Sequence, residues 1–242
     1  MDATTIALIM LSSVGAAFVQ RVSGFGFGIF IMTILPYLLP TYPEALTLSG
    51  LLAIMTSVVI VWKMYKFIVW KKLLPILITF LIVSWIAIQF LDKVGDGMLK
   101  HILGGMLILA SIWFFFFNDR IHIRPTMTMQ VSMGTISGAM GGLFGMQGPP
   151  AVLYFLSSTD HKEEYMALAQ CFFLIGNGMM SIYRAHLGFL TPTVGWAWCF
   201  CLPTVFLGTW IGGLVFNRIP IKTLRKIIYA YMGISGIIAV MG

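Results

Sequence analysis

Two apolar stretches of this chain are too long to be single membrane helices, and both are cut by glycine near their centres. The first, Thr5–Leu39, contains Ser23-Gly24-Phe25-Gly26-Phe27-Gly28. The second, Thr126–Leu156, contains Gly141-Gly142-Leu143-Phe144-Gly145-Met146-Gln147-Gly148-Pro149-Pro150. A helix crosses the hydrocarbon core with about 20 apolar residues, so each stretch holds more than one crossing and less than two. Glycine weakens a helix, and a proline pair cannot continue one from its N-terminal side. Each stretch is therefore predicted to be a broken helix. Six further apolar runs, Glu44–Trp62, Leu73–Leu91, Met98–Phe117, Glu164–Ile182, Thr193–Phe216 and Thr223–Met241, are each about one bilayer long.

Composition agrees with a chain solvated by lipid. Hydrophobic residues make up 59% of the 242 and charged residues 10%, against about 25% charged in soluble domains. The formal charge of +7 is predicted to sit in loops facing anionic lipid rather than to meet nucleic acid. Cys171, Cys199 and Cys201 lie inside apolar runs, and their odd number argues against a disulfide framework. No Asp or Glu falls well inside an apolar run, and His101, His122, His161 and His186 sit in loops or at run ends. With no proton relay, nucleotide-binding loop, metal-ligand cluster or nucleophile–base pair, the sequence predicts neither an enzyme nor a bound cofactor.

The order of one broken run and three single runs occurs twice, giving a first repeat over 1–122 and a second over 123–242 of one transmembrane unit. A displacement of 120 places Glu44 on Glu164, Gly28 on Gly148 and Phe80 on Phe200; after a short insertion, 125 places Leu99 on Leu224 and Lys100 on Arg225. Basic residues test the orientation, because they favour the cytoplasmic side. If all eight runs cross once, loop Lys and Arg divide seven to seven. If each broken run enters and leaves by one face, they divide eleven inside (Lys63, Lys66, Lys71, Lys72, Arg120, Arg124, Lys162, Arg218, Lys222, Arg225, Lys226) to three outside (Lys93, Lys100, Arg184). The fold predicted is an all-α membrane protein of two inverted repeats, each beginning with a glycine-broken helix or hairpin.

The two broken segments, Gly24-Phe25-Gly26-Phe27-Gly28 with Pro36 following and Gly145-Met146-Gln147-Gly148-Pro149-Pro150 before Ala151-Val152-Leu153-Tyr154, resemble the paired signatures of the sulfite exporter TauE/SafE family, also called the toluene-sulfonate uptake permeases. The resemblance implies a duplicated four-element unit and transport of sulfite, sulfonates, thiosulfate or other organic anions across a bacterial inner membrane.

The residues point the same way. A helix broken inside the bilayer leaves N–H groups unpaired, which is tolerated only at a polar cavity or a ligand. Half-helix N-termini also attract anions. The candidate substrate site comprises Gly24, Gly26 and Gly28 of the first tip and Gly145, Gln147, Gly148 and Pro149 of the second, with Gln20, Ser23, Gln170 and Asn177 as further polar candidates. The alternative for the glycines is close helix packing, and for the polar residues interhelical hydrogen bonding. Arg21, beside the first cluster, either holds an oxyanion through its guanidinium fork or snorkels to the membrane interface. The predicted partners are a small anion and membrane lipid, with a homodimer allowed. An inside-negative potential of 100 mV drives a monoanion outward by about 2.3 kcal/mol, so export needs no further coupling. A passive anion channel, a carboxylate carrier and, less readily, an intramembrane enzyme are the rival readings.

Overall fold

The computed structural model describes residues 2–117, 126–159 and 161–215, with scattered positions between 230 and 241. The eighth run, Thr223–Met241, falls almost wholly outside the described residues, as do Arg120, Arg124, His122, Arg218, Lys222, Arg225 and Lys226. Ten α-helices make up the described chain: α1 (Ala3–Ser23), α2 (Phe27–Ile31), α3 (Leu35–Leu38), α4 (Tyr42–Met64), α5 (Trp70–Ile88), α6 (Asp96–Phe117), α7 (Met127–Phe144), α8 (Gly148–Ser158), α9 (Lys162–His186) and α10 (Pro192–Val215). Among them α1, α4 with its following turn, α5, α9 and α10 are long and apolar enough to cross a membrane.

Both predicted breaks are present, and glycine makes them. Gly24 ends α1 with φ +84° and Gly145 ends α7 with φ +67°, a left-handed conformation that side chains resist. After each break the chain folds back along the helix it has left. Phe30 of α2 lies against Gly15 of α1, and Tyr154 of α8 accepts a hydrogen bond from Gln130 of α7 at 2.6 Å. Each broken run is thus a hairpin with unequal arms. In the first hairpin the 21 residues of α1 extend about 31 Å, long enough to cross; in the second the 18 residues of α7 extend about 27 Å and the 11 residues of α8 about 16 Å, roughly half way. The second returning helix starts at Gly148, earlier than the proline pair suggested. Pro149 and Pro150 sit in its first turn, where a missing N–H costs nothing.

Side-chain contacts fix the helix directions. Leu46 near the start of α4 meets Arg184 near the end of α9, while Ser57 later in α4 meets Gln170 early in α9, so these two run antiparallel. Lys72 and Phe80 of α5 meet Glu164 and Phe172 of α9, and Ile76, Phe80 and Ser84 pass Gly134, Gly138 and Gly142 of α7; α5, α7 and α9 therefore run the same way. α10 follows α9 after a short turn and runs with α1, since Val14 meets Gly208 and Arg21 meets Gly212. Consequently α1, α4 and α10 point one way and α5, α7 and α9 the other. Lys63, Lys66, Lys71, Lys72 and Lys162 gather at one end of the bundle, and Lys93 and Lys100 lie at the other.

Two stripes of small residues explain the tightest packing. Gly134, Gly138 and Gly142 recur every four residues along one face of α7, where backbone and side chains of α5 leave no room for a Cβ; Gly208 and Gly212 do the same on α10 against α1. With no hydrophobic effect between helices in lipid, such close approach is what holds them together. An aromatic cluster of Phe80, Phe155, Phe172 and Phe173 joins α5, α8 and α9 beside the hairpins.

Candidate substrate site

The two hairpin tips meet inside the bundle. A Cβ placed on Gly28, in the first turn of α2, would collide with the carbonyl of Gly145 at the second tip, and Gly148, opening α8, faces Phe25 of the first tip. The helices leaving the tips thus start side by side and point in opposite directions. A cavity lies at this junction, lined by Gln20, Gly26, Phe27, Gly28 and Ile29 from the first hairpin, Gly145, Met146, Gln147 and Gly148 from the second, Leu46, Ser49, Gly50 and Ala53 from α4, and Phe173, Asn177 and Arg184 from α9. It is tight. About 20 Å³ is open to the centres of water molecules, enough for an ordered water.

Helix α9 braces both tips from one face. The Gln170 side-chain amide donates to the Gly24 carbonyl at 2.7 Å, and its Oε1 accepts from Gln20 Nε2 and Ser57 Oγ, each at 3.1 Å. Ser23 folds onto its own tip, donating to the Val19 carbonyl at 2.8 Å and receiving the Phe25 N–H at 3.3 Å. At the second tip Gln147 Nε2 donates to Asn177 Oδ1 at 2.8 Å, and the buried Gln147 Oε1 has no partner.

The charge at the cavity is Arg184, which the division of basic residues places in a loop outside the membrane and which the structure buries in α9. Arg184 is 1% exposed. Its guanidinium donates from Nη1 to the Leu46 carbonyl at 3.1 Å and from Nη2 to the Gly141 and Gly142 carbonyls at 3.0 Å. The two glycine carbonyls belong to the last turn of α7, whose dipole is negative there. Nε is buried without a partner. The ion pair among the described residues is Lys72–Glu164 at 2.7 Å, so no described carboxylate neutralises Arg184. Its place on one face of α9 could have been read from spacing: Gln170, Phe173, Asn177, Ser181 and Arg184 recur every three or four residues, with polar side chains at four of the five positions.

Of the residues singled out from sequence, Gln20, Gly26, Gly28, Gly145, Gln147, Gly148 and Asn177 line the cavity. Ser23, Gly24 and Gln170 stand one layer back and hold the first tip. Pro149 is buried in the first turn of α8. Arg21 lies elsewhere: half-buried, it lines a separate cavity with Lys63 of α4 and Trp210 of α10. Consecutive residues on a helix point about 100° apart, so Gln20 facing the tips turns Arg21 away from them.

Long apolar helices with glycine-broken hairpins meeting at an internal polar cavity define a multi-pass membrane protein of the transporter class. The chain matches the family model described as Sulfite exporter TauE/SafE over residues 9–238, and it belongs to that family of membrane transporters, which handle sulfite and related sulfur anions. Neither the curated proteins nor the solved structures gave a match.

Proposed function

We propose that this protein carries a small oxidised-sulfur anion, such as sulfite, a sulfonate or thiosulfate, out of the cell, and that the anion binds where the two hairpin tips meet. One observation carries the reading: a buried guanidinium lines that cavity with no carboxylate beside it among the described residues. An isolated buried cation is costly unless an opposite charge or several dipoles answer it. Three carbonyls answer part of the charge of Arg184, and a bound oxyanion would answer the rest. Gln147 adds to the same site. The amide orientations of Gln147 and Asn177 are interchangeable together, so an anion favours the form in which Asn177 Nδ2 donates to Gln147 Oε1 and Gln147 Nε2 turns inward. The first N–H groups of α2 and the Gly148 N–H supply neutral donors of the kind found at helix starts.

Two inverted repeats, over 1–122 and 123–242, fit the helix directions. The first hairpin arm, α1, opposes its counterpart α7, and α4 opposes α9, while the contact of Gly28 with Gly145 becomes that of Gly148 with Phe25 when 120 is added to the first number and subtracted from the second. Inverted repeats with substrate at the midplane between discontinuous helices are a common transporter plan. We place the lysine-rich end in the cytoplasm of a bacterial inner membrane. A cavity admitting about one water is too small for a four-heavy-atom oxyanion, so the tips must part to load one; this favours a carrier over an open channel.

The test is flux and binding on purified protein in liposomes, with sulfite, thiosulfate, a sulfonate and a carboxylate compared. Saturable sulfur-anion flux with exchange acceleration is expected. Carboxylate preferred over all three sulfur anions, or flux linear in concentration, would overturn the reading.

A further inference from the structure

A second cavity, away from the tips, lies between α1, α4 and α10. It is far roomier than the first, at about 480 Å³ by the same measure. Its described lining holds two cations, Arg21 and Lys63, and no acid; the rest is largely apolar, including Ile60, Phe206, Trp210 and Leu214. Gly212 and Gly213 make room for the arginine, whose aliphatic stem packs where a Cβ on Gly212 would stand and whose Nε would lie 3.6 Å from a Cβ on Gly213. The level in the membrane is marked by exposed Trp62, Tyr65 and Trp70 around the α4–α5 turn, a composition typical of the headgroup boundary.

We infer that this cavity binds an anionic phospholipid, its phosphate held between Arg21 and Lys63 and an acyl chain laid along Phe206, Trp210 and Leu214. The apolar wall selects a lipid over a free anion, because Trp210 and Leu214 are exposed on the outer surface of α10 and open the cavity to the bilayer. Basic pockets between helices on the cytoplasmic side are suited to such headgroups. The site is independent of the transported anion, since Arg21 and Lys63 are absent from the lining of the tip cavity.

The experiment compares phosphatidylglycerol, phosphatidylcholine and inorganic phosphate added to detergent-purified protein, read by thermal shift and by lipid retention in native mass spectrometry. Phosphatidylglycerol is expected to be retained and stabilising, with phosphatidylcholine and phosphate inert. Each of Arg21→Met and Lys63→Met should lower the phosphatidylglycerol affinity about fivefold, the change for one cation near an anionic headgroup. Lys93→Met, at the opposite end, should not. Lys63 is exposed, so its variant remains informative should the Arg21 variant not fold. Equal retention of the two lipids, phosphate reproducing the shift, or a Lys93→Met effect equal to that of Lys63→Met would each overturn the proposal.

Discussion

Gly28 and Gly145 touch backbone to backbone: the α-carbon of one packs on the carbonyl of the other, leaving no space for a methyl group between them. Their counterpart pair is looser. A Cβ on Gly148 would sit 3.6 Å from Phe25 and 3.7 Å from Phe173, which is ordinary contact. The two glycines that a displacement of 120 superimposes therefore have different tolerances.

Gly28→Ala should lose transport and lower stability by about 1–3 kcal/mol, the usual effect of overpacking, because a carbonyl cannot yield as a flexible side chain can. Gly148→Ala should fold and transport nearly as wild type, while Gly148→Leu, whose side chain must enter the cavity or displace Phe25, should fold but not transport. Thermal unfolding and liposome flux of the three variants check this. Equal behaviour of the two alanine variants would show that the tips do not press together at Gly28.

The glycine stripes should act on stability alone. Gly138 of α7 would place a Cβ 2.8 Å from Val83 and 2.9 Å from the Phe80 carbonyl, and Gly208 of α10 would drive one into the Val14 carbonyl. Gly138→Leu and Gly208→Leu should each lower the melting temperature and the folded yield. Milder Gly→Ala changes that still fold should bind the anion with wild-type affinity, measured by substrate-dependent thermal shift. A changed affinity in either alanine variant would link the stripes to the site.

Topology follows from the ion pair of Lys72 with Glu164, which brings the α4–α5 turn and the start of α9 to one end of the bundle. If all eight runs crossed once, those two segments would lie on opposite sides. In a background lacking Cys171, Cys199 and Cys201, single cysteines at Lys66 and Lys162 should be labelled from the cytoplasmic face, and one at Lys93 from the outside. Lys66 and Lys162 on opposite faces would remove the inverted repeats.

The hairpins could be read from the chain because the signal is local: glycine at Gly24 and Gly145 adopts backbone angles that other residues resist, and each cluster lies mid-run. The meeting of the tips could not, since it joins Gly28 to Gly145 through packing that no local pattern encodes. The two arginines are harder to place. Nearness along the chain leaves Arg21 open between the glycine cluster and the membrane interface, and puts Arg184, close to a run's end, in a loop. Helical geometry separates them: Gln20 takes the inward face and turns Arg21 outward, while the polar spacing from Gln170 carries Arg184 into the core. What was missing was the comparison of faces, which the sequence already contained.

Those placements give the sharpest prediction. If Arg184 holds the anion, Arg184→Lys keeps a positive charge and can still reach one carbonyl, but loses the planar fork. A hydrogen bond to a charged group contributes about 1.5–3 kcal/mol, so anion affinity should fall on the order of ten- to a hundredfold, while the protein still folds. Arg184→Met should bind no anion and be less stable, since the Leu46, Gly141 and Gly142 carbonyls lose their shared donor. Arg21→Met, with its side chain in the other cavity, should bind the transported anion as wild type does. Titration of sulfite and thiosulfate against the melting temperature of the three variants separates the cases. Were Arg184 no more than a cap on the last turn of α7, Arg184→Lys would be less stable yet keep its affinity. Loss of affinity in Arg21→Met alone would return the anion to the first helix.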